Sequence, residues 1–81
     1  MKNTPGDYSD RRYRVYFELV DVDRAAWQII ADYIGHDRAN EIETRRFGYA
    51  VYVPLQAVPD IVLRFAAAHI GVYQVVRSAL D

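Results

Sequence analysis

The sequence predicts an α+β domain in which a small antiparallel sheet carries two helices on one of its faces. Three observations predict it. RYRVYFELV, from Arg12 onward, alternates side chains with a period of two, the repeat of a strand with one buried face. DVDRAAWQIIADYI and PDIVLRFAAAHI repeat apolar residues at helical spacing, and a glycine follows each, Gly35 and Gly71. GYAVYV and VYQVVRSAL are rich in β-branched and aromatic residues that suit a pleated surface.

Residues 1–10 combine Pro5 and Gly6 with small polar residues and read as a flexible N-terminal tail, which leaves 11–81 as a single domain. In the first strand Tyr13, Val15, Phe17 and Leu19 share one side, and Arg12, Arg14, Tyr16 and Glu18 share the other. Asp21 or Asp23 then caps a helix, because a short carboxylate accepts from free N–H groups at the positive end of the helix dipole. The helix runs to about Ile34, with Trp27, Ile30, Ala31 and Ile34 on its buried stripe, Ala26 and Tyr33 at the margins, and Gly35 as terminator.

HDRANEIETRR shows no clear period, and reads either as a loop plus a short strand or as the start of one long strand ending at Val53. In the central strand Phe47, Tyr49, Val51 and Val53 make the apolar side, expected against helices, while Arg46, Gly48, Ala50 and Tyr52 face away. Pro54 ends it. Pro59 fits the first turn of the second helix, which is apolar almost all round, so packing on more than one side and closure at Gly71 are expected. Val72, Val75 and Val76 mark the last strand.

Strands joined through helices in this order favour right-handed crossovers, which place both helices on the same face. With a hairpin between Gly35 and Val53 the arrangement is the split β-α-β, ferredoxin-like plait; without it, a three-stranded version. One sheet face then stays open, and an uncovered face bearing tyrosines is the main functional lead.

Composition narrows the chemistry. At 81 residues the chain builds one core, and its 52 per cent hydrophobic and 14 per cent aromatic content argues against disorder. Without cysteine, disulfides and thiolate sites are excluded. The longest apolar run, IVLRFAAAHIGV, is broken by Arg64 and His69 and falls short of the ~20 residues of a membrane span. The first ten residues lack the apolar stretch of a signal peptide, so a cytoplasmic protein is expected.

Catalysis is not expected. The hydroxyls of Thr4, Ser9, Thr44 and Ser78 have no histidine beside them in sequence, and the isolated Gly6, Gly35, Gly48 and Gly71 form no phosphate loop. Asp32 and His36 are spaced i, i+4, but with His69 far away they make no convincing metal set; both histidines suit helix C-termini. Glu41 and Glu43 read as a solvated strand edge, and no cofactor or metal is expected.

RRFGYAVY, residues 45–52, resembles the third-strand signature of the RNA recognition motif: Arg45, Phe47, Gly48, Tyr49 and Tyr52 fit, while Arg46 stands where glycine is usual. VYFELV is similar to that family's first-strand signature, with Tyr16 at the stacking position. The resemblance implies single-stranded RNA stacked on Tyr16, Phe47 and Tyr49, with Arg45 on a phosphate. Strand parity implies otherwise, because it sends Phe47 and Tyr49 into the core, and a net charge of −1 also disfavours nucleic acid. The favoured expectation is a non-enzymatic protein-binding module, an adaptor or a small inhibitor or immunity-type protein. Its anchors would be the outward-facing Arg12, Arg14, Tyr16, Arg46 and Tyr52, of residue types that concentrate interface energy. A homodimer through facing sheets would use the same surface.

Overall fold

The structure, a computed structural model, describes residues 12–78; the tail expected over 1–10 lies outside the described residues. The elements are β1 (Arg12–Leu19), α1 (Ala25–Ile34), a 3₁₀ helix (His36–Glu41), β2 (Glu43–Arg45), β3 (Gly48–Pro54), α2 (Ala57–Ala67) and β4 (Val72–Ser78). The four strands form one sheet in the order β2-β3-β1-β4, and every neighbouring pair is antiparallel. This is an α+β fold compatible with a ferredoxin-like plait. No helix among the described residues is long and apolar enough to cross a membrane.

β1 is central because its alternation supplies a fully buried face. Val15, Phe17 and Leu19 are buried, and the register Val15↔Val51 and Phe17↔Tyr49 brings the matching residues of β3 to the same side. Both α-helices cover that side. Ala26, Ile30 and Ala31 of α1 and Ala57, Ile61 and Phe65 of α2 close the core, with Phe17 and Phe65 edge-to-face at 5.6 Å between centroids. Burying a phenylalanine side chain contributes roughly 2–3 kcal/mol, so this pair anchors α2 to the sheet centre.

HDRANEIETRR follows the first of its two readings, an irregular segment plus a short strand: HDRANE is the 3₁₀ helix, and after Ile42 come the short β2 and a two-residue hairpin turn, Arg46 and Phe47. Three local expectations are corrected. Trp27 is half-buried at the core margin with the Arg24 guanidinium 4.5 Å above its ring, while the smaller Ala26 takes the central place. A small residue there lets helix and sheet approach.

Among the described residues α2 packs on one side only: Leu63 is 67% exposed, with no further layer of those residues outside the helix. It ends not at Gly71 but at His69, whose φ of 61° is left-handed. The His69 N–H donates to the Ala66 carbonyl at 3.0 Å and the Ile70 N–H to the Phe65 carbonyl at 2.9 Å, the paired bonds of a Schellman turn.

Candidate functional site

The sheet face away from the helices collects the even-numbered residues of β1 and β3 and the residues registered with them. Tyr16 of β1 lies opposite Ala50 of β3 on one side and Val76 of β4 on the other, and Ala50 in turn lies opposite Glu43 of β2. Ala50 is small and only 1% exposed, so it forms a floor over which longer neighbours reach. Glu43 pairs with Arg14, and its Oε1 is also 3.4 Å from Arg45 Nη2. The Arg45 guanidinium lies 5.8 Å from the centre of the Tyr16 ring. Arg14, Glu43, Arg45 and Tyr16 therefore form a chain of contacts beside Ala50.

Glu18 and Gln74 join beside it through a 2.6 Å hydrogen bond from the amide to the carboxylate. Tyr52, registered with Arg14, is 40% exposed on the same face. β3 runs on past the three residues of β2, and there Arg38 of the 3₁₀ helix donates to the Tyr52 carbonyl at 3.3 Å. Arg38 also bonds Glu41 at 2.7 Å; this contact raises the arginine pKa and lowers that of the carboxylate. The edge of the open face is thus fixed by side-chain bonds where no strand continues.

The structure brings Arg14, Tyr16 and Tyr52 together on this face, as strand parity predicts. Arg12 is exposed where β1 begins, opposite Pro54. Arg46 does not join them: it lies in the hairpin turn, its guanidinium 5.4 Å from the Phe47 ring centre. Glu43, Gln74 and the Ala50 floor belong to the site but were not predicted from the sequence. The E-T-R alternation at 43–45 is the one local signal that Glu43 and Arg45 share a face.

The RNA-stacking set is divided. Tyr16 is on the open face, whereas Tyr49 is 7% exposed beneath the helices, so the two rings lie on opposite sides of the sheet. The Tyr49 hydroxyl donates to Asp21 at 2.5 Å, and burial with that hydrogen bond pushes its pKa up to about 12. Phe47 belongs to neither side. It precedes β3, so strand parity does not govern it, and in the turn it is 60% exposed rather than buried. Of the RNA-binding set only Arg45 and Tyr16 meet.

Gly48, the glycine of the signature, has a packing reason. A Cβ there would stand 1.8 Å from the Phe17 carbonyl oxygen, because β3 approaches β1 closely where the Leu19 N–H donates to the Phe47 carbonyl. At the same end of the sheet a cleft of about 300 Å³ opens among Val20, Asp21, Thr44, Arg45, Arg46 and Phe47. Its carboxylate is already engaged, since the second oxygen of Asp21 accepts the Ala26 N–H at 2.8 Å.

Among the described residues no group of three or more histidine, aspartate or glutamate side chains is placed to hold a metal. His36 contacts Asp32 at 2.5 Å on an exposed helix end, and His69 closes the other helix. No family model, no curated protein and no solved structure matches this chain.

Proposed function

We propose that the protein is a non-enzymatic protein-binding module, an adaptor or inhibitor-type domain with a ferredoxin-like plait, that engages its partner through the open sheet face. The observation that carries the reading is the placement of Tyr16 and Tyr52 on the side without helices, beside Arg14 and Arg45 held by one shared carboxylate. Tyrosine rings lose little conformational freedom on binding, and arginines already oriented by Glu43 lose less than free ones. The partner is a protein surface whose carboxylates displace Glu43 from the two guanidinium groups and whose apolar groups cover the tyrosines. Glu18 and Glu43 on the same face, together with the net charge of −1, oppose a polyphosphate backbone and favour such a mixed surface.

The test compares Tyr16→Ala and Tyr52→Ala with Leu63→Ala, which lies on the outer surface of α2, 67% exposed. Thermal melts should show all three folded. Quantitative affinity capture from host extract should fall roughly ten-fold or more for the tyrosine variants, the size of one interface anchor, and stay at the wild-type level for Leu63→Ala. Equal capture by all three variants removes the reading.

A further inference from the structure

The two borders of the sheet are unlike. β2 is three residues long, wholly exposed and charged at both ends, the kind of edge that resists pairing. β4 is seven residues long, V-Y-Q-V-V-R-S, with one charge, no proline and no glycine. Its outer side pairs with no strand among the described residues. Three of its apolar side chains are exposed: Tyr73 at 69%, Val76 at 45% and Val75 at 39%.

The exposure of Val75 is informative because its partner in β1, Phe17, is fully buried on the same helix-covered side. α2 meets β4 but leaves Val75 uncovered. Asp60 and Arg64 of α2 turn toward Tyr33 of α1, through a 3.1 Å hydrogen bond and a guanidinium 5.2 Å from the ring centre. Helical spacing then puts Val58 and Val62 on the opposite flank of α2, the flank toward β4. The core therefore ends unfinished along this border.

We propose that β4 pairs antiparallel with β4 of a second copy about a two-fold axis at Val75, joining two four-stranded sheets into one. The occupant follows from the self-complementarity of the strand. Val75 is the midpoint of Val72–Ser78, so an axis there runs the strand against its copy along its whole length, past the irregularity that leaves Tyr73 without a partner in the register with β1. It places Val75 against the second Val75, Gln74 against Val76, and Tyr73 against Arg77. The sole charge thereby meets an aromatic ring rather than its own copy, avoiding the like-charge confrontation that weakens cross-strand pairs. Arg77 already lies 4.8 Å from the centre of its own Tyr13 ring, and Tyr73 of the second copy would give the guanidinium a second ring. The valines meeting on the helix side would continue the core across the axis, flanked by Val58 and Val62 of both copies. The paired edge borders the open face at Gln74 and Val76, but the pairing is made by the β4 backbone, and the inference stands without the reading proposed for that face.

The chain contains no cysteine, so a single introduced cysteine can form a disulfide only between copies. Directly opposed residues on antiparallel strands have Cα separations of about 4.5–5.5 Å, within disulfide range. Under mild oxidation Val75→Cys should give covalent dimer at least about ten times faster than Leu63→Cys, whose site is exposed but remote from the axis. Sedimentation of the wild-type full chain should show reversible, concentration-dependent dimer, and Val75→Lys, which opposes two charges at the axis, should give monomer. A separate thermal melt of Val75→Lys distinguishes loss of pairing from loss of fold, and the cysteine comparison decides the matter should that variant not fold. Three outcomes would overturn the proposal: wild type monomeric at every concentration, equal oxidation rates for the two cysteine variants, or a dimer that survives Val75→Lys but is lost in Tyr52→Ala. The last would assign association to the open face.

Discussion

Asp21 ties three segments with one carboxylate: it follows β1, accepts the Ala26 N–H in the first turn of α1, and accepts the Tyr49 hydroxyl from β3. The neutral phenol is the form this arrangement stabilises, since ionisation would place a second negative charge beside Asp21 in a buried position. The folded pKa, about 12, lies above the ordinary tyrosine value of 10.0, so the folded state holds this proton more tightly than the unfolded state. The stabilisation is complete below the unfolded value and is lost as pH rises through the folded one. Tyr49→Phe should therefore lower stability by about 1 kcal/mol at neutral pH and flatten the decline in urea midpoint between about pH 10 and 12. Tyr33, also raised by burial and Asp60, is unchanged in the variant, so the difference between the two curves reports Tyr49 alone. Parallel curves across that interval would contradict the buried phenol–carboxylate contact.

At the level of elements, the end of α2 makes a direct claim. His69 adopts a left-handed conformation that a Cβ disfavours and glycine adopts freely, while Ile70 folds back so that its N–H reaches the Phe65 carbonyl. His69→Gly should therefore raise stability by roughly 0.5–1 kcal/mol in chemical denaturation, whereas Gly71→Ala, whose Cβ would meet nothing within 4 Å, should change it little. A destabilised His69→Gly would mean that the imidazole makes contacts outweighing the backbone strain. The same helix end shows why some elements are legible in a sequence and others are not. β1 announces itself because a two-sided environment imposes alternation on eight residues. The 3₁₀ helix and β2 do not, because a six-residue turn and a three-residue strand are too short to repeat any period, and the bond from Arg38 to β3 joins residues far apart in sequence. A glycine near a helix end is a good terminator signal, yet which residue turns left-handed depends on where Phe65 must stop to pack on Phe17.

For the whole molecule, the division of aromatic residues between the two sides of the sheet decides among partners. With Tyr16 on one side, Tyr49 on the other and Phe47 at the tip of a hairpin, no continuous stacking platform exists among these three. A fluorescent single-stranded oligonucleotide should show no saturable binding below about 100 μM at physiological salt; low-micromolar binding with a steep salt dependence would reinstate RNA. Which side Tyr49 occupies was legible from parity alone. That Gly48 answers to the Phe17 carbonyl was not, because the requirement arises between strands far apart in the chain. Nor was the chain of contacts beside Ala50, which needs three strands in register before its members become neighbours. The contrast between the short, charged β2 and the long, apolar β4 also limits growth. In the pair proposed through β4 both outermost borders would be β2, so that assembly would be self-terminating and a filament would have nowhere to extend.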